Sequence, residues 1–226
     1  MSDIANLLKE AKAGVQQMTD SLPKVVAPSS ISLSAKIPFK VIIYRETLIW
    51  RTEELARCAC DLYQREDIVS AIVLTRSVTE NAAAVWYLMQ LIRGANDAPH
   101  VKGLDERIMK LLMGSRSIDE MPDALNVKTM LKKAEKSIPG ILSVYDSLSE
   151  FAHPNWSGTS GIYSKIDHDG FLTHLGKNMR SIERPLGHGL NSLIGALAMF
   201  EHAYNRISDL MPGFISVCEA ALHDNE

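Results

Sequence analysis

Glu150 and His153 stand three residues apart, and Pro154, Asn155, Trp156 and Ser157 follow directly. On a helix that spacing puts carboxylate and imidazole on one face. Imidazole exchanges a proton readily near neutral pH, so the pair could form an acid–base site or a phosphate contact. Asn155, Trp156 and Ser157 would then lie where a substrate enters. The same residues also have a structural reading. In it His153 closes the helix against a carbonyl, and Asn155 and Ser157 order the loop.

A second polar group falls where apolar residues dominate. Arg76 and Glu80 lie one turn apart in the segment Ile68 to Arg93, beside Thr75, Ser77, Thr79 and Asn81. A buried charge is costly unless paired, so this girdle must face solvent, itself, or a polar site between helices. One expectation is that Arg76 and Glu80 face Glu150 and His153 across a bundle. The other is an intrahelical ion pair that fixes packing register. A metal reading has less to stand on. Glu150-x-x-His153 is half of a di-iron carboxylate motif, and the chain has no second copy. Glu219 and His223 stand four apart near the C-terminus, while His168 and His174 read as exposed polar residues. No metal and no cofactor is expected.

These residues need helices to position them. Residues 3–20 have helical spacing through Leu7, Leu8, Ala11 and Val15. Residues 21–40 carry Pro23, Pro28 and Pro38 among serines and read as a connector. Helical periodicity then runs from Val41 to Gln64. Arg45, Arg51 and Arg57 lie there among Glu46, Glu53 and Glu54, which reads as a solvated, salt-bridged face. Asp67 can cap the apolar helix, with Gly94 closing it at about Arg93. Trp86 and Tyr87 on that helix read as core. A short helix is expected at about 103–113, and Asn126 is placed to cap another running to about Lys136. The helix after Pro139 should end at His153, because a proline pushes its predecessor out of the helical region. In residues 161–175, Ile162 and Ile166, then Phe171, Leu172 and Leu175, flank Asp-His-Asp-Gly, and with the Asp169-Gly170 turn they predict a hairpin. Pro185 opens a last long helix to about Leu210, which Pro212 should break. The expected fold is an all-α helical bundle with one small β-hairpin inserted before the last long helix. Residues 1–40 are read as an N-terminal helical arm and connector, and 41–226 as the bundle domain.

The totals set bounds. With 226 residues, 46% of them apolar and 23% charged, the chain can bury a core without disulfides or metal. A net charge of −3 gives no general attraction to nucleic acid or to anionic lipid. The three cysteines, Cys58, Cys60 and Cys218, form no disulfide framework and suit a reducing, cytoplasmic setting. No secretory signal and no membrane span is expected. P-loop, G-x-G-x-x-G and G-x-S-x-G patterns are missing.

An apolar helix with Arg-x-x-x-Glu (Arg76, Glu80), followed by Tyr-x-x-Leu-Ser-Glu-x-x-His-Pro (Tyr145 to Pro154), resembles a branch of uncharacterised bacterial all-α proteins. That branch is similar in turn to the HEPN superfamily. The resemblance covers about residues 41–210. It implies a homodimer and a role in toxin–antitoxin or phage-defence systems, with RNA or an antitoxin protein as partner. In its active form it implies a metal-independent ribonuclease. His153 would then move the proton, Arg76 would stabilise the phosphorane, and Glu150 and Glu80 would orient them. Asn155 would contact the phosphate. Other members are non-catalytic binding modules. The chain departs from the family's Arg-x(4–6)-His pattern, since no arginine lies between Asp146 and Ala152.

Overall fold

The computed structural model describes residues 2–223. Eight α-helices, one 3-10 turn at Pro28–Ser30 and one two-stranded sheet make up the regular structure of these residues. Helix α1 is Ser2–Asp20, α2 Lys36–Gln64, α3 Ile68–Asp97, α4 Leu104–Leu112, α5 Val127–Glu135 and α6 Ile141–Ala152. A one-turn α7, Ser160–Tyr163, leads into β1, Ser164–Asp167, and β2, Leu172–Leu175; α8 is Glu183–His223. The protein is therefore an all-α bundle with a small antiparallel hairpin ahead of its last long helix.

The chain falls into two compact units, neither continuous in sequence. The first comprises Met1–Asp20, Thr52–Thr79 and Pro139–Ala198; the second comprises Ser21–Arg51, Glu80–Ile138 and Met199–Glu226. Helices α2, α3 and α8 contribute residues to both.

In the first unit, α1 buries Ala11, Val15 and Met18, so the N-terminal helix is packed. Lys12 Nζ donates to Gln64 Oε1 (2.5 Å), and Thr19 Oγ1 donates to Glu53 Oε1 (3.1 Å). These bonds tie α1 to α2. Small residues let α1 and α2 approach α8. A side chain at Gly14 would touch Leu197, and one at Gly189 would run into the Tyr63 ring. The Tyr63 hydroxyl is 2.7 Å from Thr75 Oγ1, whose own proton goes to the Ala71 carbonyl (2.9 Å). Tyr63 is therefore the donor, and this polar pair is satisfied inside the core.

In the second unit the core is built from Val41, Leu48 and Ile49 of α2, Val85, Leu88, Met89 and Ile92 of α3, and Phe200, Ile207 and Phe214 of α8. Trp86 is buried here and stacks on His202, with centroids 5.6 Å apart. Asn126 caps α5 as its position predicts, its side chain accepting from Lys128 N (2.9 Å).

Several expectations are corrected. Helix α2 begins at Lys36, with Pro38 in its first turn, where the missing N–H has no intrahelical partner to lose. Helix α3 continues through Gly94 to Asp97. Pro212 does not end the last helix, which runs on to His223. Burial of Met211, Phe214 and Cys218 on both sides of the proline outweighs its local cost of about 3 kcal/mol. Asn96 Nδ2 also donates to the Leu210 carbonyl there (3.0 Å). The hairpin turn is a four-residue loop in which Phe171 takes the left-handed conformation (φ 51°). Asp167 Oδ1 accepts from Asp169 N and Gly170 N (both 3.1 Å), so the aspartate organises the turn.

Of the expected solvated, salt-bridged face of α2, Arg51, Glu54 and Arg57 are exposed and Arg57 Nε pairs with Glu53 Oε1 (3.1 Å), whereas two of its carboxylates are buried. Glu46 is 7% and Glu53 6% exposed. Glu46 accepts from Arg45 Nε (2.7 Å) and from Tyr204, and Arg45 Nη1 reaches Ser208 Oγ (2.7 Å). The Arg45 guanidinium also lies 4.5 Å from the centre of the Tyr204 ring. Burial and the Glu46 carboxylate push the Tyr204 hydroxyl well above its ordinary pKa.

The expected absence of a membrane-length segment is also qualified. By length and composition α3 could cross a bilayer, with a mean hydropathy of 1.2 over its most apolar window. Of that window 61% is buried inside the protein, and a central bundle helix has the same composition.

Candidate functional site

Helix α6 ends at Ala152 because Pro154 disfavours the helical conformation at His153. His153 is the C-cap, extended at φ −91° and ψ 148°. Its side chain is exposed and, among the described residues, makes no hydrogen bond or ion pair. The expected closure of the helix by a His153–carbonyl bond does not form.

The loop that follows is tightly folded. Asn155 Nδ2 donates to Glu150 Oε2 (2.6 Å), tying the loop back to the last turn of α6. Asn155 Oδ1 accepts from Gly158 N (3.2 Å), and Gly161 N donates to the Trp156 carbonyl (2.7 Å). A Cβ at Gly158 would collide with the carbonyl oxygens of Phe151 and His153, so only glycine lets the chain turn here. Ser157 is half-buried in this turn. Trp156 is 63% exposed. A Cβ on Gly161 would sit 3.1 Å from the Trp156 ring, so glycine allows this close contact. The Arg180 guanidinium lies 5.8 Å from the ring centre. An exposed indole beside an arginine can contact something planar or apolar.

Arg76 reaches α6 from α3. Its Nε donates to Ser149 Oγ (3.0 Å) and its Nη2 to the Tyr145 hydroxyl (2.5 Å). The guanidinium also lies 4.9 Å from the centre of the Tyr145 ring. Tyr145 is buried, and Ser149 passes its own proton to the Tyr145 carbonyl (2.8 Å). Arg76 is thus brought to the helix that carries Glu150 and His153, where it holds Tyr145 and Ser149. Glu80, one turn further along α3, belongs by its contacts to the second unit.

Comparison with protein-family models, with curated proteins and with solved structures found no match.

Two features of this region had no sequence signal. The first is His188 on α8, whose Nε2 lies 2.8 Å from Ser147 Oγ on α6. The Ser147 proton goes to the Val144 carbonyl (2.7 Å), so His188 donates from Nε2. Burial first, and the Arg184 charge second, hold the His188 pKa below the usual imidazole range. A lowered pKa means that the unfolded chain binds this proton more readily. The His188 contribution to stability is therefore intact above the ordinary pKa of about 6.5 and is lost as pH falls towards the folded value. Thermal melting of wild type should weaken from pH 7.5 to pH 5.5 more than that of His188→Gln. Equal weakening would show that His188 is not held neutral.

The second is a groove of about 550 Å3 lined by Lys165, Ile166, His168, Met179, Arg180 and Ser181. It lies between β1 and the segment entering α8. His168 and His174 are exposed, as expected, and His174 Nε2 is 4.0 Å from Asp167 Oδ2. No group of three or more His, Cys, Asp or Glu among the described residues is placed to hold a metal ion. The His223 side chain lies outside the described residues, so the Glu219 and His223 pair has no geometry to weigh.

Proposed function

We propose that the protein is a HEPN-like, metal-independent endoribonuclease of a bacterial toxin or phage-defence system. It would act as a cytoplasmic homodimer, with the end of α6 as its reactive face. The observation that carries this reading is the loop after α6. It leaves the His153 ring exposed and unengaged, and it fixes the exposed Trp156 three residues on. In the proposed reaction His153 takes the proton from a ribose 2′-hydroxyl. The 2′-oxygen forms a bond to phosphorus and the bond to the 5′-oxygen breaks. The leaving oxygen takes a proton from solvent. The products are a 2′,3′-cyclic phosphate and a 5′-hydroxyl.

Arg76 gives Nε and Nη2 to Ser149 and Tyr145. Its part is therefore to hold α6 in place, with its charge as an added benefit to the phosphorane. Glu150 and Asn155 act together, their mutual bond fixing the loop. Ser157 completes the turn. The reduced thiols of Cys58, Cys60 and Cys218 suit the cytoplasm.

A specific observation favours a second reading. The bonds from Arg76 to α6 are what a purely structural cluster would form, and a non-catalytic module could present the same loop to an antitoxin or another protein. Incubating wild-type protein with total cellular RNA in EDTA separates the two. Fragments ending in 2′,3′-cyclic phosphate support the ribonuclease. Intact RNA beside folded protein rejects it and leaves the interaction module.

A further inference from the structure

Arg180 is fixed at one end and open at the other. Its Nε donates to the Ser164 carbonyl on β1 (3.0 Å). Its Nη1 and Nη2 have no hydrogen-bond or ion-pair partner among the described residues. A guanidinium held by Nε presents its two terminal nitrogens as a fork, the geometry that grips a phosphate. Lys165, His168 and Ser181 line the groove with it, and no carboxylate does. Lys165 is exposed and likewise without a partner among the described residues. The same guanidinium lies 5.8 Å from the Trp156 ring centre, and Trp156 is 63% exposed. A cationic groove beside an exposed aromatic face combines the two elements that bind single-stranded nucleic acid without sequence preference. In a chain of net charge −3, this attraction must come from the local arrangement.

We propose that this groove binds the backbone of single-stranded RNA, with Arg180 and Lys165 on phosphates and Trp156 stacking a neighbouring base. The inference rests on the ribonuclease reading for the choice of RNA and gives that reading its substrate grip. A short backbone path past Trp156 would bring an adjoining ribose to the α6 end.

The test is fluorescence anisotropy with a labelled oligoadenylate, read across a salt series. Lys165→Gln/Arg180→Gln should weaken binding at least about tenfold, and the slope of log K against log salt should fall by roughly 1.4, about 0.7 for each phosphate no longer neutralised. Trp156→Ala should weaken binding about tenfold with the slope unchanged. The exposed pair Lys132→Gln/Lys133→Gln on α5 removes the same charge elsewhere and should change neither quantity. Because Arg180 also supports β1, Arg180→Lys serves as a charge-preserving variant and should keep most of the slope. Equal losses in the groove and α5 variants overturn the proposal. So does wild type that binds inorganic phosphate and not the oligonucleotide. The two readings fail separately. Tight groove-dependent binding without cleavage rejects the nuclease and keeps the groove. Cleavage with binding indifferent to Lys165 and Arg180 does the reverse.

Discussion

Glu46→Ala should destabilise the protein by roughly 3–5 kcal/mol, the largest loss expected of a single substitution here. The reason lies in what is left behind. The Arg45 side chain is only 12% exposed, and Glu46 is its buried counter-ion. Removing the carboxylate leaves a mostly buried guanidinium with only Ser208 and the Tyr204 ring, and Tyr204 loses its acceptor. At about 2–4 °C per kcal/mol for a chain of this size, melting should fall by roughly 6–20 °C. A neutral partner still accepts hydrogen bonds, so Glu46→Gln should lose less. A shift of under a degree in Glu46→Ala would show that Arg45 escapes to solvent and that the cluster carries no stability.

Arg76→Ala should cost about 2–4 kcal/mol. The stacking on Tyr145 contributes about 1 kcal/mol, and each of the two hydrogen bonds to α6 contributes about as much. The buried Tyr145 hydroxyl also loses the donor that faces it. Tyr145→Phe removes one bond and keeps the ring, so it should cost only about 1 kcal/mol. A double-mutant cycle between Arg76→Ala and Tyr145→Phe should return a coupling above about 0.5 kcal/mol. Strict additivity would mean that the interaction is not energetically formed. This result bears on function, since α6 is the platform for Glu150 and His153.

Arg76 also shows what the sequence could and could not disclose. A charge amid Ile72, Val73 and Val78 must find a partner, so its engagement across the bundle was legible. Which partner it finds depends on the rotation and axial offset of α6, and periodicity carries neither. Two arrangements were expected, one opposite Glu150 and His153 and one an ion pair along its own helix; it bonds Tyr145 and Ser149 on the helix that carries Glu150 and His153. The end of α6 was legible because proline acts on its immediate predecessor. The Trp156–Arg180 contact was not, because a hairpin and two turns separate the residues. Pro212 and the α2 carboxylates misled for one common reason. Local rules describe an isolated helix, whereas both helices are flanked by neighbours that bury Glu46, Glu53, Met211 and Phe214. The hairpin was read from its Asp169-Gly170 turn and the apolar residues that flank it, but the role of Asp167 in turning it needs the folded backbone.

The claim that matters most is that the exposed, unengaged ring of His153 does chemistry and does not hold the fold. The direct measurement is the cleavage rate of RNA in EDTA for wild type and His153→Ala, taken beside the melting temperature of each. Because the ring makes no bond among the described residues, its removal should shift stability by no more than about 0.5 kcal/mol. Loss of a general base should slow cleavage roughly 100-fold or more. That combination is the predicted result. Cleavage at the wild-type rate by His153→Ala, or a lost activity that tracks a lost fold, would contradict it.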